Sequence, residues 1–151
     1  MKYSAKWIDK EEKERFNSFI SNHPKGHAMQ TWEWGEIKGR TGWRPWRLVL
    51  EADGNIVAAA TVLERNLPLI RDPIFYCPRG PVTDMEDGGK LDTIFEAIQK
   101  LAQKRRAILL KIDPDIPSSN KELKDYLQTR NFRQLDKGKD FEGVQPKYVF
   151  R

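Results

Sequence analysis

Trp46-Arg47-Leu48-Val49-Leu50-Glu51-Ala52-Asp53-Gly54-Asn55-Ile56-Val57-Ala58-Ala59-Ala60-Thr61-Val62-Leu63 is the stretch on which the architecture turns. Two apolar runs of strand length flank Ala52-Asp53-Gly54-Asn55, and Asp-Gly accepts the positive φ that a tight hairpin turn demands. The second run is apolar at successive positions, which places it in the middle of a sheet with both faces covered. The chain is therefore built around an antiparallel hairpin.

On the N-terminal side, residues 9–21 show helical periodicity. Phe16, Phe19 and Ile20 share one face, and Asp9/Lys13 and Glu11/Arg15 are spaced as i,i+4 pairs on the other. Pro24 and Gly26 close this helix. Thr31 is placed to cap a short second helix, Trp32-Glu33-Trp34-Gly35-Glu36-Ile37-Lys38, which Gly39 and Gly42 break before Trp43.

Beyond the hairpin, a Pro-bearing loop leads to a short strand at Ile74-Phe75-Tyr76 and the turn-rich Cys77-Pro78-Arg79-Gly80-Pro81. The clearest helix covers residues 87–105, where Leu91, Ile94, Phe95, Ile98, Leu101 and Ala102 recur at 3.6-residue spacing. Ala107-Ile108-Leu109-Leu110-Lys111-Ile112 reads as a buried strand ended by Asp113-Pro114. Ser118 and Ser119 are candidate caps for a helix over residues 121–130, and Asn131-Phe132-Arg133-Gln134 reads as the start of another strand. Val144-Gln145-Pro146-Lys147-Tyr148-Val149-Phe150-Arg151 reads as a strand with nothing to punctuate its end. The expected fold class is α/β, with a mixed, mostly antiparallel sheet flanked by helices, as half of a two-domain protein.

The 151 residues, 38% hydrophobic, 32% charged and 11% aromatic, suit a single domain and exclude a disordered chain. No apolar run approaches the ~20 residues that span a bilayer, and the N-terminus lacks the apolar stretch of a signal peptide. Cys77 is the one cysteine, so the chain has no intramolecular disulfide, and a reducing cytoplasm is expected. A net charge of +5 favours anionic partners without choosing among phosphate, nucleic acid and an acidic membrane face.

Several residues carry chemistry, each with a plainer alternative. His23 and His27 have the i,i+4 spacing of a helical metal site, but Pro24 and Gly26 between them favour two surface loop histidines. Cys77 beside Arg79 has the setting of an activated thiol; without a partner base, structural filler is the better reading. Lys104, Arg105 and Arg106 answer the dipole at the C-terminus of the long helix, with RNA contact as the alternative. Trp32, Trp34, Trp43 and Trp46 are interleaved with Lys38, Arg40, Arg44 and Arg47, an array suited either to packing or to ring and phosphate recognition. At least two of these tryptophans are expected in the core and one, Trp43, against a ligand. Asp113 leaves the end of a buried strand, where ligand crevices of α/β sheets open, or else caps the turn before Pro114.

The layout resembles GNAT acetyltransferases, whose loop before the long helix points backbone amides at a pyrophosphate. Here that stretch is Thr83-Asp84-Met85-Glu86-Asp87-Gly88-Gly89, and its three acids argue against coenzyme A. Gln30-Thr31-Trp32-Glu33-Trp34-Gly35-Glu36-Ile37-Lys38 followed by Gly42-Trp43 is similar to the N-terminal motif of the FemABX peptidyltransferases. So are Asp53-Gly54-Asn55-Ile56-Val57-Ala58-Ala59-Ala60, Tyr76-Cys77-Pro78-Arg79-Gly80-Pro81-Val82, Ile112-Asp113-Pro114 and Gln145-Pro146-Lys147-Tyr148-Val149-Phe150-Arg151. Each motif is weak, but five fall in order over nearly the whole chain.

That resemblance implies a GNAT-like acceptor-binding domain, covering residues 1–151, of a tRNA-dependent aminoacyltransferase that builds the peptidoglycan interpeptide bridge. The implied acceptor is a UDP-linked or lipid-linked muropeptide at the inner membrane face, with aminoacyl-tRNA as donor and no coenzyme A or metal. Carried over by position, Lys38 contacts the acceptor diphosphate, Trp43 walls the same pocket, and Asp113 hydrogen-bonds and orients the acceptor amine. Arg79 contacts phosphate or anchors its loop. The family's second domain completes catalysis and handles the tRNA, and a returning segment covers the sheet edge. Without them the chain is expected to be inactive alone and open to homo-oligomer formation through that edge. A non-catalytic nucleotide-sugar or RNA module and a GNAT N-acyltransferase are the rival readings.

Overall fold

A computed structural model of the chain describes residues 2–135. They form five strands and four α-helices: β1 (Ser4–Ile8), α1 (Lys13–Asn22), α2 (Trp32–Gly39), β2 (Arg44–Ala52), β3 (Asn55–Asn66), β4 (Pro73–Cys77), α3 (Gly88–Arg105), β5 (Leu109–Ile112) and α4 (Lys121–Thr129). The strands make one sheet in the order β1-β2-β3-β4-β5. The first three pairings are antiparallel, and only β4 with β5 is parallel. The expected mixed, mostly antiparallel sheet is therefore present, and β3 is its middle strand.

The hairpin forms as its sequence dictates: Asp53 has φ 50° and Gly54 φ 79°, the two successive positive values of a tight primed turn. From there the register places alternate residues of β2 on opposite faces. Leu48 and Leu50 join Ala58, Ala60, Val62, Phe75 and Cys77 against Ile94, Ile98 and Leu101 of α3. Val49 joins Ala59, Val82, Phe16, Ile20 and Trp32 on the other face. So α3 covers one side of the sheet, and α1 and α2 cover the other. Glu64, almost wholly buried, ties the α3 side together: it accepts from Trp46 Nε1 at 2.7 Å and from Arg105 Nη2 at 2.9 Å.

Several expectations need correction. β1, which no local pattern announces, is an edge strand among the described residues; three of its residues are exposed, and only Trp7 and Ile8 lean on the core. The first helix is preceded by a 3-10 turn at Lys10–Glu12, and it spends its charges elsewhere than in i,i+4 pairs. Lys13 pairs with Glu33 at 2.6 Å, and Arg15 pairs with Glu12 and Glu51. β5 is not buried but lies at the sheet edge among the described residues, with Leu109 half-exposed. Residues 132–135 form no strand. Helix α4 belongs to a separate compact unit and is capped by Asn120, which accepts from Leu123 N–H, rather than by Ser118 or Ser119. The strand expected over residues 144–151 and the family motif at 145–151 lie outside the described residues.

Candidate functional site

The site lies on the α2 side of the sheet, where β4 and β5 run parallel and the chain leaves their C-terminal ends. β4 alternates: Pro73, Phe75 and Cys77 are buried, while Ile74 and Tyr76 are half-buried on the opposite face. Tyr76 lies opposite Leu63 of β3 and Lys111 of β5, so three strands converge on its ring. Its hydroxyl donates to Asp113 Oδ2 at 2.9 Å, and the Arg79 backbone N–H donates to Asp113 Oδ1 at 2.6 Å. Asp113 thus fixes the turn after β4 to the end of β5. Each carboxylate oxygen retains a second lone pair for a further donor.

Aromatic and cationic groups surround this carboxylate. The Trp43 ring lies 6.3 Å from that of Tyr76, tilted by 52°. The Arg65 guanidinium stands 5.4 Å from the Trp43 ring centre, and Lys111 Nζ stands 5.3 Å from that of Tyr76. Trp43 is positioned by the end of α2, because its N–H donates to the Lys38 carbonyl at 3.2 Å. The Lys38 side chain extends over the Trp34 ring, 5.2 Å from its centre. Of the four sequence-derived site residues, Trp43 and Asp113 meet at Tyr76, Arg79 reaches Asp113 through its backbone N–H, and Lys38 meets Trp43 through its backbone carbonyl.

Tyr76, Lys111 and Arg65 were not singled out from the sequence as site residues. The alternation of β4 is the signal that places Tyr76 off the core; Lys111 and Arg65 follow only from strand register. His27 lies in the loop between α1 and α2, as Pro24 and Gly26 suggest. It is half-buried, and its Nδ1 accepts from Met29 N–H at 3.1 Å, capping the 3-10 turn Ala28–Gln30. Burial holds its pKa below the ordinary value, aided by the charge of Arg79 and opposed by Asp115 and Asp113. His23 likewise accepts from Lys25 N–H at 3.0 Å. Both are loop histidines, as the sequence suggests, half-buried and capping their turns, and no cluster of three metal-binding side chains occurs among the described residues.

Beneath the site, the fully buried Gln30 links Thr61 of β3 to the turn after β4. Its Oε1 accepts from Thr61 N–H at 2.7 Å, and its Nε2 donates to the Thr61 and Pro78 carbonyls. Cys77 is wholly buried beside it, and burial pushes its thiol up to about 12, which makes it an inert filler. Gly80 lies so close that a Cβ there would come within 2.7 Å of Gln30 Nε2 and 2.8 Å of Cys77 Sγ. Among the tryptophans, Trp32 is buried, Trp46 packs half-buried on the core edge-on to Trp7, Trp34 lies half-buried under Lys38, and Trp43 lies against Tyr76 at the site. A separate cavity of about 380 Å³, lined by Trp7, Trp32, Arg44, Trp46 and Arg47 among others, includes none of the site residues.

The loop that holds pyrophosphate in acetyltransferases is differently equipped. Asp87 caps α3, accepting from Lys90 N–H at 3.1 Å and from the Tyr3 hydroxyl at 2.9 Å. A carboxylate thus occupies the helix N-terminus where an anion would otherwise be received.

Known proteins resemble the chain in sequence and in fold. The lipid II:glycine glycyltransferase of Staphylococcus saprophyticus is 35% identical over 100 residues, which are 66% of this chain and 24% of that protein. Its counterpart in Staphylococcus haemolyticus is 34% identical over the same share of each chain. The chain spans about a quarter of the length of these curated relatives. The solved structure of FemX superimposes with a TM-score of 0.79 at 25% identity, over 86% of this chain and 32% of FemX. A ribosomal-protein-alanine N-acetyltransferase from Brucella melitensis biovar Abortus 2308 shares the fold alone, with a TM-score of 0.62 at 12% identity over 99% of both chains. The FemAB family model matches residues 11–145, and the chain belongs to the FemAB family.

Proposed function

We propose that this chain is the acceptor-binding part of a tRNA-dependent aminoacyltransferase that adds amino acids to the stem peptide of a lipid-linked peptidoglycan precursor. The observation that carries the reading is the Asp113 carboxylate, held by Tyr76 and the Arg79 backbone beside Trp43, Arg65 and Lys111. A carboxylate with free lone pairs suits an acceptor amine, and the surrounding cations suit the phosphates of the same molecule. The names of the staphylococcal relatives favour lipid II over a UDP-linked precursor as the acceptor.

In the proposed reaction the acceptor amine attacks the ester carbonyl of the aminoacyl-tRNA. A C–N bond forms, the ester C–O bond breaks, and the amine proton leaves with the ribose hydroxyl. The ester is already activated, so the protein's share is to place the amine and stabilise charge. Asp113 orients the amine, Lys38 and Arg79 face the diphosphate, and Trp43 walls the pocket. Aminoacyl-tRNA binding is assigned to chain outside these residues. The reading requires no coenzyme A, consistent with Asp87 at the head of α3.

Calorimetric titration of the soluble analogue UDP-MurNAc-pentapeptide tests it. Lys38→Ala and Trp43→Ala should each weaken binding by about tenfold or more, roughly 1.4 kcal/mol, with the fold intact by circular dichroism. Wild-type affinity in both variants, or no heat from the folded wild type, would sink the reading. Coenzyme A binding would point to an acetyltransferase instead. Steeply salt-dependent RNA binding without muropeptide binding would point to an RNA module.

A further inference from the structure

We propose that the end of the sheet formed by the β3–β4 loop and the start of β5 docks on an anionic lipid bilayer. Four of the six large hydrophobic side chains exposed among the described residues gather here. Leu69 is fully exposed at the loop tip, and Ile70, Ile108 and Leu109 are 47%, 52% and 49% exposed. Distant in sequence, the two segments are adjacent in space. The Ile108 N–H donates to the Pro73 carbonyl at 2.9 Å, Leu109 pairs with Ile74, and Arg106 Nε lies 3.3 Å from Asp72 Oδ1. The loop is closed by the Asn66–Pro73 pair and an Ile70 N–H to Leu67 carbonyl bond.

The rim of this aliphatic patch is cationic. Arg65, Arg71, Lys104 and Arg106 are all exposed on the flanking residues. Of the acids in the same stretches, Asp72 pairs with Arg106, and Glu64 is turned inward onto Arg105. Cores of protein–protein interfaces are depleted of charge, whereas an aliphatic tip ringed by Lys and Arg matches the boundary between acyl chains and anionic headgroups. No helix among the described residues is long and apolar enough to cross a membrane. The patch lies at the start of β4 and β5 and Asp113 follows their far end, with Arg65, which stands over Trp43, between them. A lipid-anchored acceptor would thus reach the site along these strands from the surface on which the protein rests. The purpose of the docking rests on the proposed lipid-linked acceptor, but the docking itself does not.

Co-sedimentation with phosphatidylcholine vesicles, with and without phosphatidylglycerol and free of any muropeptide, is the test. The wild type should bind the anionic vesicles at least about tenfold more tightly than the neutral ones, and added salt should weaken that binding. The double variant Leu69→Asp/Ile70→Asp should lose the binding by a similar factor while titrating UDP-MurNAc-pentapeptide as the wild type does. Arg71→Glu should weaken vesicle binding alone. Equal binding to both vesicle types, wild-type binding by the double variant, or no binding at all would overturn the proposal. If the muropeptide is still bound in any of those cases, the functional reading survives. A wild-type dimer by light scattering that the double variant dissolves, with no vesicle binding, would likewise overturn it and name a second copy as the occupant. Vesicle binding without muropeptide binding would uphold the docking and count against the functional reading.

Discussion

The side-chain amide of Gln30 fills a gap in the β-ladder of the central strand. On its β4 side, β3 pairs over residues 63–66, and pairing resumes at Ala59 with the bridge to Val82. Thr61 falls between, and its N–H and C=O are both served by the Gln30 carboxamide, which stands in for the missing peptide group. Gln30→Leu keeps much of the volume but leaves these buried groups unpaired, so a loss of about 3 kcal/mol is expected in urea denaturation. Gly80→Ala should cost about 1–3 kcal/mol by overpacking, since its Cβ would press on Gln30 Nε2 and Cys77 Sγ. The two substitutions share one contact, so their costs should not add. Gly80→Ala should cost less in a Gln30→Ala background, where only Cys77 still resists. Strict additivity in a double-mutant cycle would refute the shared contact.

Helix α3 shows which elements can be read locally. Its apolar stripe is fixed by 3.6-residue spacing, and Asp87 marks its start, capping Lys90 N–H. Asp87→Ala should lower stability by about 1 kcal/mol, and Asp87→Asn, which still caps, by much less. A calorimetric scan showing equal losses would mean that charge, not capping, is what matters there. The β2–β3 hairpin was readable for the same reason, because its turn residues dictate it. β1 was not: three of its five residues are exposed, and its partner β2 lies some forty residues further on. β5 has the apolar composition of a covered strand, yet the strand order among the described residues puts it at the edge, and sheet order is not written in any one segment. The site divides along the same line. Asp113 could be inferred from its place after a strand and Trp43 from its place after Gly42, and Lys38 and Arg79 from resemblance to a family. Tyr76, Lys111 and Arg65 meet only through the registers of three strands, which no local pattern encodes. Pro24 and Gly26 mark His27 as a loop residue, but the turn that it caps is set by the fold around it.

Across the whole molecule, these loop caps tie stability to pH. Burial is the first cause holding both His23 and His27 below the ordinary histidine pKa, and each uses Nδ1 as an acceptor that protonation would remove. The folded state therefore binds fewer protons than the unfolded chain on the acid side of neutrality. Stability is full above the unfolded value near pH 6.5 and falls as pH drops through it. Glu12, Glu33 and Asp87 are also held below their ordinary values, Glu12 and Glu33 first by the lysine hydrogen bonds they accept and Asp87 by Lys90 N–H. Their contribution is present above the unfolded carboxylate pKa and is lost only as pH falls below about 4.5. Acid should thus act in two stages: a first loss between about pH 7 and 5 from the histidines, and a second below about 4.5 from the carboxylates. In His23→Asn/His27→Asn, a side-chain oxygen can still cap each loop without titrating. Urea midpoints measured across this range should then lose the first stage and keep the second. A wild-type midpoint that stays flat from pH 7 to 5 would show that the two loops relax to solvate their histidines.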